Sequence, residues 1–440
     1  MSNFTYKSPS LVALAAFLVS PLLFTTVTAA DIASAIEPTL KSVDAKVIDW
    51  RRDFHQNPEL SNRETRTSKI VAEHLKKLGL EVETGIAKTG VVALLRTGKP
   101  GPTIALRADM DALPVTERAD VPFRSTAKAN YRGEEVGVMH ACGHDSHTAV
   151  LMGVAEVLVK RKADLRGNVL FVFQPAEEGA PPGEVGGANE MVKAGILDKY
   201  KPEVMFGWHA WSSLRTGEIG YRSGPFFADS NAWRMVVTGR QAHGSAPWKG
   251  VDPIVVAAQI ITNVQTVISR QVDLTDIPAV FSVGIIKGGV RNNIIPDSVE
   301  LIGTMRTFSA AQKAQVAAAV TRMAQNTAEA SGATAEFKLE AYSNPVTVNN
   351  EALTEKMLPS LRRVAGDDKV KRIPLVTGSE DFAYFANKIP GFYFVVGVTP
   401  ADQDPVTAPV NHSPLFYLDE AAIPLATRAM TAAAVDYLLN

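Results

Sequence analysis

Short, continuous apolar runs alternate with segments of helical periodicity along much of this chain. Val91–Arg96, Thr103–Ala108, Asn168–Gln174 and Glu203–Trp208 are such runs. Each has the length of a strand buried on both faces. Helical patterns lie between them, near Ser146–Arg161 and Gly187–Ala194. Upstream, Ser61-Asn62-Arg63-Glu64 has the spacing of a capping box, and Val71, Leu75 and Leu78 then fall on one face of a helix that Gly79 ends. Strands alternating with helices predict an α/β layered domain.

From Gly224 the pattern changes. Asn231–Gly239 is a predicted strand, Asp252–Arg270 an amphipathic helix, and Ala279–Ile286 and Ser298–Phe308 two further strands. Ser309-Ala310-Ala311-Gln312 is a second capping box, opening a helix to about Ser331, and Thr334–Ala341 is a closing strand. The order β-α-β-β-α-β is that of the ferredoxin-like split unit. Signals of the α/β type then resume: a helix near Asn350–Val364, the strand Phe392–Val396 and a helix from Asp419 to Leu438. The expected organisation is an α/β domain in two pieces, 31–223 and 343–440, interrupted by a smaller unit at 224–342.

Residues 1–30 stand apart. Lys7 is the only charge before an apolar stretch from Leu11 to Phe24, and Val27-Thr28-Ala29 supplies small residues at its end. This is the pattern of a secretory signal peptide, so the protein is expected to be exported, to a periplasm or the extracellular space. An uncleaved anchor is the other reading; Pro21 and the short apolar run weigh against it. No later segment is apolar over enough length to span a bilayer.

Composition narrows the function classes. A length of 440 residues with 46% hydrophobic and 21% charged residues suits two globular domains. A formal net charge of −1 argues against a nucleic-acid binder. The single cysteine, Cys142, excludes an intramolecular disulfide and a Cys-rich zinc module.

Histidine is scarce, yet three of the eight fall in Met139–His147, MHACGHDSH. On a loop before a helix, Cys142 and His144 could converge on one ion across Gly143, with thiolate and imidazole as zinc-type donors. A buried structural cysteine is the alternative at that point. Glu177 and Glu178 follow a buried strand, where adjacent carboxylates repel unless a cation sits beside them. One would be a ligand and its neighbour a general base. His209 follows another strand, and His412 lies in a loop before the last helix. Their recurrence at strand ends is what a metal site on the rim of a sheet needs. In the inserted unit, His243, Asn293 and Arg306 could face a cleft between domains.

Together the motifs resemble the M20 metallopeptidase family, in its amidohydrolase branch of N-acyl-amino-acid, hippurate and auxin-conjugate hydrolases (subfamily D). The stretches that carry the resemblance include ALRADMDALPV, MHACGHDSHTA, FQPAEEG, GRQAHGSAP, NIIPDSVELIGTMRTF, GSEDFAYF and NHSPLFYLDE, in order along nearly the whole chain after residue 53. The resemblance implies a three-layer, zinc-peptidase-like α/β catalytic domain with an inserted ferredoxin-like α+β lid. It also implies two divalent metal ions, zinc first and manganese, cobalt or nickel as alternatives, held by Cys142, His144, Glu178, His209 and His412. Glu177 matches the general base and Asp109 a residue that orients a ligand. His243 matches the lid histidine that stabilises the oxyanion; Asn293 and Arg306 match positions that hold the substrate carboxylate. Trp248 stands where the family usually has a second polar residue. If it contacts substrate, it implies an aromatic wall. The stretch APPGEVGGANE after the glutamates is longer than usual.

The expected activity is metal-dependent hydrolysis of N-acyl amino acids. A carboxypeptidase or dipeptidase acting on short peptides with the same site is the nearest rival. A thiol hydrolase using Cys142 as nucleophile and a silent binding protein are rivals of other classes. The lid's edge strand makes a homodimer through the lid plausible.

Overall fold

The structure, a computed structural model, describes residues 1–3, 5 and 29–439. The predicted signal peptide lies almost wholly outside them.

The apolar runs form the middle of one eight-stranded sheet. Its order is Glu81–Ile86, Gly90–Arg96, Asn168–Gln174, Thr103–Asp109, Val204–Arg215, Gly391–Thr399, Ile219–Tyr221, Val370–Arg372. The strands Asn168–Gln174, Thr103–Asp109, Val204–Arg215 and Gly391–Thr399 are mutually parallel, as βαβ connections require. Side chains alternate between faces: Val91, Ala93 and Leu95 enter one core, Val92 and Leu94 the other. The helices Ala29–Gln56, His144–Lys160 and Ala422–Leu439 contribute to the first core. The shorter helices Gly187–Lys193, Ile196–Tyr200 and Ala383–Ala386 contribute to the second. The result is three layers, α/β/α.

Two local expectations change. The helix Ala29–Gln56 was not anticipated, because Pro38 interrupts its signal; Ile36, Leu40, Val43, Val47 and Phe54 nevertheless form one buried face. The first capping box does not form. The helix starts at Thr65 with no side-chain bond from its N-cap residue. Ser61 Oγ instead donates to Asp111 Oδ2 at 2.6 Å. The free amides of Arg66 and Thr67 are taken by Glu59, at 2.9 and 2.8 Å. Glu64 turns inward and accepts from Thr89 Oγ1 and the amide of Ala176.

The inserted unit is a four-stranded antiparallel sheet ordered Val280–Gly288, Ser298–Arg306, Ser230–Thr238, Thr334–Asn344. With helices Pro253–Gln271 and Ala310–Glu329 this is the ferredoxin-like arrangement, around its own core of Trp233, Met235, Ile260, Val264, Val320 and neighbours. The second capping box works in part: Ser309 Oγ accepts from the amide of Gln312 at 3.1 Å. Where the chain enters this lid, Asp229 binds the amide and hydroxyl of Thr307, at 2.5 and 2.6 Å. Among the described residues, no helix is long and apolar enough to cross a membrane.

Candidate metal centre

Loops at the carboxyl ends of the parallel strands converge on one point, the usual ligand position in an open α/β sheet, and His209 joins them from inside the strand Val204–Arg215, which runs on past the expected end at Trp208. Gly143, at φ +99°, breaks the loop Met139–Gly143 into the helix His144–Lys160. A side chain there would meet Ala210 Cβ at 2.8 Å. Cys142 Sγ lies 3.4 Å from His209 Nε2 and 3.1 Å from His412 Nε2. The donor atoms of Cys142, His144 and His209 all fall within 4.8 Å of one another, as do those of Cys142, Glu178 and His412. The two triads share the thiol.

Hydrogen bonds fix which imidazole nitrogens are free. His144 Nδ1 donates to the Asp111 carbonyl at 2.8 Å, and His209 Nδ1 to that of Ala210 at 2.7 Å. Each Nε2 is then the nitrogen that faces the site, and at His144 it must give up a proton before it can ligate. His144 Nε2 is buried without a hydrogen bond, and Glu178 Oε1 lies 3.2 Å from His412 Nε2. His147 differs. Its Nδ1 meets Asp109 Oδ1 at 2.6 Å and its Nε2 accepts the amide of Ala210 at 2.9 Å, so it supports the site with no donor atom to spare. Ala176 at φ +53° and His412 at φ +73° hold left-handed conformations uncommon outside glycine, just where Glu177, Glu178 and the fifth donor are aimed.

The electrostatics call for cations. Burial, then Glu178, Glu177 and Asp109, push the Cys142 thiol well above its ordinary range. Burial, then Glu380, Glu178 and Asp381, do the same to the Glu177 carboxyl. Burial disfavours a charged His144, yet Asp109, Asp111 and Glu178 overcome it and raise its pKa to about 10. Burial drives His209 the other way, well below the usual value. Soft and imidazole donors in a field of carboxylates, with a buried imidazole nitrogen unmatched, fit divalent metal ions.

The cleft at this centre, about 430 Å³, is lined by Cys142, Glu177, Glu178, His209 and His412, and by Arg306 from the lid. His243 and Asn293 are not brought to it. They sit together on the lid, where Gly244 N donates to the Asn293 carbonyl at 2.8 Å and His243 is exposed. Trp248 is 77% exposed and lines no part of this cleft, so the aromatic wall expected from it is absent here.

Residues 105–436 match the profile of Peptidase family M20/M25/M40. The chain belongs to this family. It is 40% identical over 408 residues to thermostable carboxypeptidase 2 of Saccharolobus solfataricus, covering 92% of this chain and 99% of that one. It is 36% identical over 399 residues to an N-acetylcysteine deacetylase of Bacillus subtilis, covering 90% and 98%. The crystal structure of a Bacillus subtilis dinuclear metal-binding peptidase of the M20 family superposes with a TM-score of 0.75 at 34% identity, covering 90% of this chain and 99% of that one.

Several further residues shape this M20 site without a sequence pattern that marks them. Asp111 accepts the amides of Glu177 and Glu178, each at 3.0 Å, and so sets the glutamate pair. Arg107, fully buried, pairs with Asp109 at 2.7 Å, Glu380 at 2.9 Å and Asp381 at 3.0 Å. Asp109 thus bridges Arg107 and His147. The signals were present, in DMDALPV and GSEDFAYF, but nothing in their spacing pointed to a buried ion network.

Proposed function

We propose that this M20 protein is an exported hydrolase of N-acyl amino acids, releasing a carboxylic acid and a free amino acid. The observation that carries the reading is the pair of donor triads sharing Cys142, with Glu177 beside them. Cys142, His144, Glu178, His209 and His412 would hold two divalent cations, zinc by donor chemistry. Such ions supply Lewis acidity, lowering the pKa of water and polarising a carbonyl. Glu177, ionised once cations offset the neighbouring acids, takes a proton from the attacking water and passes it to the leaving nitrogen. Arg306 grips the free carboxylate of the amino acid. His243 donates to the developing oxyanion, and Asn293 assists at the carboxylate, when the lid presents them to the cleft.

The thiol-hydrolase alternative is disfavoured because a nucleophilic cysteine needs a lowered pKa, and this one is raised. A lid-to-lid homodimer is supported by the edge strand Val280–Gly288, which leaves Ile285 and Ile286 46% and 62% exposed. Export rests on the signal-peptide pattern of residues 1–30.

The test is a panel of N-acyl amino acids and dipeptides with the purified protein, alongside metal analysis. Chelation should abolish turnover, and zinc should restore it. Faster turnover of dipeptides would favour the carboxypeptidase reading, and activity indifferent to chelation or to Glu177→Gln would sink the mechanism.

A further inference from the structure

A second cavity, about 420 Å³, lies on the far side of Glu178 and Gly179 from the Arg306 cleft. Among the described residues, those two are the only ones common to both linings. Leu60, Leu113 and Pro114 give it an apolar wall, and the hairpin of Lys128–Tyr131 and Glu134–Gly137 closes it with its tip. Tyr131 is held there by packing on Leu60, Ala112 and Val138. The opposite lip, the loop through Pro181 and Pro182, is tied down through Glu184. That carboxylate pairs with Arg63 at 2.6 Å and with Lys88. The cavity is thus preformed.

Its charged lining is Arg63 and Arg132 against Glu178 and Glu184. Arg63 and Lys88 share one carboxylate, and Arg132, at the hairpin tip, is in no ion pair among the described residues. The Arg132 guanidinium carbon sits 5.3 Å from the centre of the Tyr131 ring. Glu134, across the hairpin, does not line the cavity.

We propose that this cavity is the acyl subsite and that Arg132 makes it select acyl groups ending in a carboxylate, as in half-amides of short dicarboxylic acids. The inference rests on the amidohydrolase reading. With the amino-acid carboxylate at Arg306 and the scissile bond beside Glu178, the acyl chain has to leave on the other side. A short apolar stem then runs along Leu113 and Tyr131, and its terminal carboxylate meets Arg132, which, unlike Arg63 in the same lining, is in no ion pair among the described residues.

The test compares N-glutaryl-glycine with N-pentanoyl-glycine, equal in chain length and differing in the terminal charge. The metal-loaded protein should favour the glutaryl compound in kcat/KM by about fivefold at low salt, mostly through KM, with the preference shrinking as salt rises. Arg132→Glu should reverse that preference and Arg132→Lys retain it; Arg132 is exposed, so both variants should fold. Calorimetric binding of glutaryl-glycine to metal-free protein should weaken in Arg132→Glu by a similar factor. Equal kcat/KM for the two compounds, or a ratio that Arg132→Glu leaves untouched, would overturn the subsite while leaving the amidohydrolase reading intact. Hydrolysis of neither compound nor of any N-acyl amino acid would overturn that reading, and this one with it.

Discussion

A thiol raised by burial and by three carboxylates is a poor nucleophile and a good place for a thiophilic cation. Cys142→Ala should therefore lower bound metal per chain by elemental analysis, with activity lost in step; full metal content would refute the shared-ligand role. The protons held by Cys142 and by His144, whose pKa is about 10 without metal, must leave when metal binds. Metal affinity should fall as pH falls, and calorimetric heats at pH 7 should vary with the ionisation enthalpy of the buffer. Heats independent of the buffer would show that these groups are already deprotonated. Asp109 acts one step back, through His147. Asp109→Asn should weaken metal binding, by less than the roughly 10- to 100-fold that loss of a ligand's own hydrogen-bond partner costs; unchanged affinity in a metal titration would show that Asp109 does not reach the site through His147. At this scale the donors were legible because Cys-x-His and Glu-Glu are local patterns. The Arg107 cluster was not, because Arg107 and Glu380 are 273 positions apart and a buried ion pair leaves no local periodicity.

The central parallel strands were readable as elements because burial on both faces makes them continuously apolar. The lid was readable because each of its helices and strands carries its own period. The strands Ile219–Tyr221 and Val370–Arg372 escaped, being three residues each and stabilised by neighbours rather than by pattern. The false capping box shows the same limit. Ser61 and Glu64 have the right spacing, but each is recruited by a distant partner, Asp111 and Ala176, and Glu59 takes over the helix end. Glu59→Ala should accordingly cost about 1 kcal/mol in chemical denaturation, the usual worth of an N-cap. Ser61→Ala should leave the helix start intact and act through Asp111 on the glutamate pair. Equal loss of helix stability in both variants would restore the capping box.

The molecule is stapled together by a second buried ion cluster that joins the first helix to the start of the helix His144–Lys160. Arg51 meets Asp145 Oδ2 at 2.8 Å, and His55 bridges Asp145 at 2.7 Å and Glu117 at 2.9 Å. Asp145 follows the proposed ligand His144 directly, so the packing of residues 35–56 bears on the site. Burial opposes ionisation of Asp145, but Arg51 and His55 outweigh it and hold its pKa well below the ordinary value. Its contribution is present above about pH 4 and is lost as pH falls through the depressed value. Burial and Arg51 oppose charge on His55, yet Asp145 and Glu117 prevail and raise its pKa. Its contribution is complete below about pH 6.5 and fades as pH rises through the raised value. The cluster therefore stabilises most between about pH 4 and 6.5. Thermal unfolding of the wild type and His55→Gln should differ most in that window, and the gap should narrow on the alkaline side. A gap constant from pH 5 to 9 would mean that His55 contributes packing and neutral hydrogen bonds, and that its charge has no part in holding the first helix to the site.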